Sequence, residues 1–145
     1  MTKLIKYIHT ESKKYDLPTG VNRTYYRKGE LKSEVFILNN KKEGTFKRYH
    51  STGQLYYICS YIDDKKNGEY KEYYDDTYNN IGKLYEIVMY INDKKNGEYK
   101  NYYKTGELWI ECSYINDKIH GRYTHYYPSG EIRYQCMYKN GIIIK

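Results

Sequence analysis

The residues with reactive side chains are few, and their spacing does not bring them together. Three cysteines, Cys59, Cys112 and Cys136, have the chemistry of a redox pair or of soft metal ligands. Four histidines, His9, His50, His120 and His125, stand apart from them. None pairs with a cysteine or carboxylate at zinc-ligand spacing. The doublets Asp63-Asp64 and Asp75-Asp76 suggest calcium chemistry, but neither lies in a loop of EF-hand pattern. There is no nucleophile elbow, phosphate-binding glycine loop or paired-carboxylate motif. The sequence therefore offers no catalytic residue, no metal site and no cofactor site, and an enzyme is not expected.

What these residues share is a place in a repeat. Alignment on Gly20, Gly44, Gly68, Gly97 and Gly121 gives intervals of 24, 24, 29 and 24 residues, a period that marks a repeat architecture. The long interval holds an insertion around residues 77–81. Two residues after the glycine come Phe46, Tyr70, Tyr99 and Tyr123. Further columns hold Tyr25, Tyr49, Tyr73, Tyr102 and Tyr126, then Tyr26, His50, Tyr74, Tyr103 and Tyr127. An aliphatic column follows at Leu31, Leu55, Leu84, Leu108 and Ile132, and a late tyrosine at Tyr61, Tyr90, Tyr114 and Tyr138. The units run 20–43, 44–67, 68–96, 97–120 and 121–145, after an N-terminal strand and linker over 1–19 that serves as a cap. All three cysteines fall in one column. Column mates two strands apart are separated by about 9–10 Å, beyond the ~7 Å that a disulfide spans. The thiols thus read as apolar packing.

Each unit reads as a β-hairpin. Tyr123–Tyr127 is rich in strand formers, and Pro128-Ser129-Gly130 has the residues of a three-residue loop with a bulge. Gly29, Gly53, Gly82, Gly106 and Gly130 occupy the same turn slot. Lys139-Asn140-Gly141 reads as a second three-residue turn, with Asp64, Asp93 and Asp117 in the slot of Gly141 in earlier units. Such loops put Tyr126 opposite Ile132 and keep the faces constant from unit to unit. The product is an all-β, elongated, single-layer antiparallel meander of about ten strands, counting Leu4–Thr10 as the first. In that register one face carries Tyr73, Leu84, Val88 and Tyr90, and the other carries Tyr70, Tyr74, Tyr85 and Ile87. A single layer encloses no thick core, so cross-strand pairs of about 0.2–1 kcal/mol each should hold it together.

The pattern Gly-x-Tyr-x-x-Tyr-Tyr-x-x-Gly-x-Leu, followed by Tyr-x-Asn-Asp/Gly, resembles the MORN repeat over residues 20–145. It is most similar to the variant in bacterial proteins of the YwqK antitoxin-like group and in large DNA viruses. The resemblance implies a curved single-layer sheet with an aromatic groove. It also implies a role as protein–protein scaffold, dimerisation module, toxin-binding antitoxin or phosphoinositide binder. The copies depart from the commonest form at Lys65–Gly68 and Lys94–Gly97, where Lys-Lys-Asn-Gly replaces a second close glycine pair.

Composition agrees with a binding role. There are 23 Tyr, 2 Phe and 1 Trp, and Tyr and Trp are favoured at interaction hot spots. The candidate partner-binding aromatics are Tyr70, Tyr74, Tyr85, Tyr99, Tyr103, Trp109, Tyr123 and Tyr127. Ile142-Ile143-Ile144 is a candidate edge for pairing with a second copy. Net charge is +7, of which residues 1–43 carry +5 (10 Lys/Arg against 5 Asp/Glu). Lys13, Lys14, Arg23, Arg27, Lys28 and Lys32 are therefore candidate anion-binding residues, for an anionic membrane above all. The repeats are nearly neutral, which argues against single-stranded nucleic acid as a partner. Without an apolar signal region or a membrane-length apolar run, a cytoplasmic protein is expected.

Overall fold

The computed structural model describes residues 18–75 and 82–144. They form one antiparallel sheet of 13 strands in meander order, without a helix among the described residues. The strands are β1 (Gly20–Tyr25), β2 (Leu31–Leu38), β3 (Lys41–Tyr49), β4 (Leu55–Ile62), β5 (Lys65–Lys66), β6 (Gly68–Tyr73) and β7 (Leu84–Ile91). They continue as β8 (Lys94–Tyr102), β9 (Leu108–Ile115), β10 (Lys118–Ile119), β11 (Gly121–Tyr126), β12 (Ile132–Lys139) and β13 (Ile142–Ile144). β5 and β6 are one strand interrupted at Asn67, and β10 and β11 are one interrupted at His120. The expected strand Leu4–Thr10 and the insertion at 77–81 lie outside the described residues.

Two kinds of turn alternate. At one end of each hairpin, the Gly130 amide donates to the Tyr127 carbonyl and the Tyr127 amide to the Glu131 carbonyl, at 2.9 and 2.8 Å. Gly130 has φ +85°, a conformation that favours glycine. This is the three-residue loop expected from Pro128-Ser129-Gly130, and Tyr126 does pair with Ile132. The other end differs from expectation. Lys139 pairs with Ile142, so only Asn140 and Gly141 form the loop, with φ of 53° and 84°. Asn39-Asn40, Asp63-Asp64, Asn92-Asp93 and Asn116-Asp117 also have positive φ at both positions. Two positive φ values in a two-residue loop are the signature of a type I′ turn, whose twist matches that of the strands.

A two-residue loop at one end and a three-residue loop at the other should swap the faces at every unit. The sheet avoids this with one β-bulge per hairpin. Glu72 pairs with Glu86 but Tyr73 with Leu84, leaving Tyr85 as an extra residue. Lys32, Tyr56, Trp109 and Arg133 are the extra residues of the other four hairpins. The bulge restores parity and overturns the expected division of side chains. Tyr70 pairs with Val88 and shares its face with Tyr90, whereas Ile87 pairs with Lys71 and Lys100 on the opposite face. Tyr73 and Leu84 pair with each other beyond the bulge, and Tyr73 joins Leu55, Ile58 and Lys71 around a shallow hollow on that opposite face.

The core is a row across the sheet. Phe46–Cys59, Tyr70–Val88–Tyr99–Cys112 and Tyr123–Cys136 are successive cross-strand partners, with Asn22–Val35 at the start. Val88 is completely buried although only one layer exists. The rings beside it cover it: Tyr70 shares its buried cluster with Cys59 and Tyr61, and Phe46, Tyr57, Tyr90 and Tyr99 pack against that cluster.

Candidate functional site: the aromatic face

The bulge builds the site. The extra residue of each hairpin meets the column residue at the start of the same turn. Tyr56 lies 4.7 Å from His50, Tyr85 5.1 Å from Tyr74 and Trp109 5.5 Å from Tyr103, between ring centroids. In the first and last hairpins a cation replaces the second ring. Lys32 sits 5.6 Å from the Tyr26 centroid, and the Arg133 guanidinium 5.6 Å from that of Tyr127. A ladder of ring pairs, capped at both ends by cation–π pairs, thus runs across the sheet.

Hydroxyls stitch the ladder from unit to unit. Tyr26 donates to the Tyr49 carbonyl at 2.7 Å, Tyr74 to Tyr102 at 2.6 Å and Tyr103 to Tyr126 at 2.7 Å. His50 breaks the series, and its Nε2 is buried without a partner. Trp109 donates its Nε1–H to His125 Nε2 at 2.6 Å. The His125 acceptor nitrogen must therefore be unprotonated, and burial, followed by the Arg133 guanidinium, holds this imidazole below its usual range.

A second ring stack runs beside the ladder. Phe46, Tyr57, Tyr70 and Tyr90 follow one another at centroid distances of 5.4, 5.4 and 5.8 Å. Lys66 lies over two of these rings, 4.8 Å from Tyr70 and 4.9 Å from Tyr90, while Lys42 covers Tyr61 and Lys95 covers Tyr99 beside them. Burial pushes the Tyr90 and Tyr114 hydroxyls up to about 12 and the Cys112 thiol up to about 11. The three thiols are free, and burial, which raises Cys59 as well as Cys112, keeps those two protonated and poorly nucleophilic. Among the described residues no three His, Cys, Asp or Glu side chains converge as a metal cluster.

The opposite face is charged. Arg23–Glu34 (3.0 Å), Lys47–Glu34 (3.9 Å) and Lys100–Glu111 (3.4 Å) are exposed ion pairs there, each worth at most about 1 kcal/mol. Along the turn edge, the aspartates at the second position of the three middle type I′ turns clasp the preceding unit. Asp93 accepts from the Lys66 amide at 2.8 Å while its own amide donates to the Lys66 carbonyl at 3.0 Å. Asp64 does the same to Lys42, and Asp117 to Lys95.

The structure gathers Tyr74, Tyr85, Tyr99, Tyr103, Trp109, Tyr123 and Tyr127 on the aromatic face, the first six half-buried and Tyr127 exposed. Tyr70 lies on that face too, but at 7 % exposure it is core. The basic candidates do not converge. Arg23 pairs with Glu34, Lys32 covers the Tyr26 ring on the other side, and Arg27 and Lys28 lie exposed in the turn between β1 and β2. Lys13 and Lys14 lie outside the described residues. Tyr56 and the lysines Lys42, Lys66 and Lys95 over the interior rings were not singled out by sequence, which marks His125 only as a histidine without a ligand partner. A 24-residue period is equally compatible with a bulged and an unbulged hairpin, so only the fixed contrast between columns could have hinted at them.

Among curated proteins, none matches the chain. Residues 18–39, 42–63, 95–116 and 119–140 match the family pattern described as MORN repeat variant. The matched segments each end at or beside a type I′ turn, and the unmatched third unit is the one with the insertion.

Proposed function

Because the chain belongs to the MORN repeat-variant family, whose pattern matches more than half of it, we propose that it is a non-enzymatic scaffold that docks a protein partner on its aromatic face. The observation that carries this reading is the ladder of half-buried ring pairs from His50–Tyr56 to Tyr103–Trp109. Rigid amphipathic rings of this kind supply contact area at little conformational cost. The opposite face offers exposed ion pairs, which contribute little to affinity. An antitoxin-like role is one case of the same proposal, with a toxin as the partner.

Affinity capture from the native cell, followed by mass spectrometry, tests it. A partner retained by the wild-type chain and lost with Trp109→Ala, while the β-sheet spectrum persists, supports the proposal. Equal capture by both proteins removes the aromatic face from consideration.

A second reading rests on β13. Its three isoleucines are 43–71 % exposed on a strand that pairs only with β12, and no lysine or proline lies within that strand. Self-association through it should give a concentration-dependent dimer by sedimentation, abolished by Ile143→Lys. A monomer at all concentrations disposes of this reading.

A further inference from the structure

Glu72 and Glu86 stand directly opposite each other on neighbouring strands of the aromatic face. Like charges in that arrangement repel. No other position along this cross-sheet row is acidic, from Thr24 at one end to Tyr134 at the other. The repulsion is therefore confined to one place, in the middle of the ladder.

The neighbours of the pair relieve it only in part. Tyr70 donates its hydroxyl to Glu72 Oε2. Burial first, and then Glu72, keep that hydroxyl protonated. Tyr56 also donates its hydroxyl to Glu72, and Tyr99 its hydroxyl to Glu86, with burial first and then the carboxylate keeping each hydroxyl protonated. The nearest ammonium, Lys95 Nζ, is 4.0 Å from Glu86 Oε2 and lies over the Tyr99 ring at 4.9 Å. Lys66 is occupied by the rings of Tyr70 and Tyr90.

An independent observation lies one strand further on. Asn101 pairs with Glu86 and is 2 % exposed. Its Nδ2 donates to the Tyr85 carbonyl at 2.9 Å, which fixes the orientation of the amide. Its Oδ1, the free end, is buried without a partner. A buried acceptor left unpaired is costly, and native proteins rarely keep one without a reason. Two carboxylates and an orphaned amide oxygen are thus held side by side, all acceptors, among tyrosine rings.

We propose that Glu72, Glu86 and Asn101 form a receptor for a guanidinium group, supplied by an arginine of the protein partner. This rests on the reading of the aromatic face as the docking surface. A guanidinium is planar and carries five N–H donors, enough to serve both carboxylates and the Asn101 Oδ1 at once. Its faces also stack on aromatic rings, which Tyr85 and Tyr99 provide. The acidic pair is then a feature whose strain in the free protein is relieved by the partner's charge.

The probe is n-butylguanidinium chloride, titrated into the full chain at constant ionic strength, with neutral N-butylurea as the isostere. Amide resonances of Glu72, Glu86 and Asn101, including the Asn101 side chain, should shift saturably, with a half-point near ~1–10 mM. Glu86→Gln should weaken the response at least about tenfold. Free Glu72→Gln and Glu86→Gln proteins should melt at or above the wild-type temperature, because Gln keeps the acceptor and removes the repulsion. Equal shifts with butylurea, no saturation, no effect of Glu86→Gln, or a lower melting temperature for both variants would each overturn the receptor. The probe needs no partner, so the two readings fail separately. Saturable binding without any captured protein leaves the receptor standing and removes the docking surface. Capture that depends on Trp109 but not on Glu86 does the reverse.

Discussion

The hairpin in the middle of the sheet and the hairpin at its C-terminal end share one sequence pattern and differ sharply in burial. In β6–β7, Tyr70 is 7 % exposed and Val88 fully buried. In β12, Ile132, Tyr134 and Met137 are 45–56 % exposed, and β13 is exposed along its length. Residue type does not account for this, since Tyr134 is as aromatic as Tyr70. What differs is the number of neighbours. Tyr70 is roofed by Tyr57 and Lys66 from the unit before it and by Tyr90 of its own unit. Tyr134 meets only Tyr123 and His125, on the strand before it. In a single layer the rings of one unit are the second layer of the next, so burial is a nearest-neighbour property. The sequence changes accordingly at the end, where Ile119 and Ile143 take the place of the lysines that cover rings in the interior.

The largest expected effect tests that contrast directly. Tyr70→Ala removes a buried ring and should cost about 3–5 kcal/mol in a urea melt. Tyr134→Ala, on the same face but exposed, should cost about 0.5 kcal/mol. Similar losses at the two positions would show that the terminal hairpin is covered in solution.

The next largest effect belongs to the turn edge. Asp93 grips both backbone groups of Lys66 and holds φ at 66°. Asp93→Ala loses an acceptor and places alanine in the left-handed region, at about 1–3 kcal/mol. Asp93→Asn keeps the acceptor and tolerates the conformation, so its melting point should stay close to wild type. The last turn has Gly141 there, which retains only the amide bond to the Ile119 carbonyl, 2.8 Å long. An Asp93→Ala protein as stable as wild type would show that the clasp is incidental.

A smaller effect concerns the stitches. Tyr103→Phe removes the hydroxyl bonded to Tyr126 and should cost about 1 kcal/mol, whereas Tyr127→Phe removes none of the three inter-unit bonds and should be near neutral. His50 stands in the same column with a buried, unpartnered nitrogen. Its counterparts reach carbonyls 23 or 28 residues on, which places the Tyr73 carbonyl within its register. His50→Tyr should therefore add about 1 kcal/mol. A loss on that substitution would mean that the second unit is spaced differently from the others.

The architecture was legible in the sequence because it is written as a period. Glycines and turn residues recur at 24-residue steps, and the strands start and stop where they indicate. The faces were not legible. Counting residues between Gly130 and Gly141 gives their spacing but not whether Lys139 belongs to the loop or the strand, and one residue decides which side every ring occupies. Asn140-Gly141 was the available clue, since that dipeptide favours a two-residue type I′ loop. Given such a loop, conserved faces require an odd residue elsewhere, which is the bulge at Arg133 and its equivalents. The acidic pair was illegible for the same reason, because Glu72 and Glu86 become neighbours only once the register is known.

The smallest expected effect separates the last full hairpin from the interior by pH. His125 is buried and accepts from Trp109, so its folded form binds a proton less readily than the ordinary imidazole, whose pKa is about 6.5. The unfolded chain then takes up the proton first. Stability contributed by this pair is present above that value and is lost as pH falls through the lowered folded value. Trp109 is the only tryptophan, so its fluorescence reports the bond directly. The emission and the melting temperature should both change on acidification below about pH 6.5, and His125→Asn should remove the Trp109-linked part of that change. The groups facing His125 are Trp109, Ile110 and Tyr134, with Arg133 beside it. None of these four is a carboxylate or a second imidazole, so a fluorescence change that persists in His125→Asn would have to come from global unfolding, and the hairpin would not be pH-sensitive on its own account.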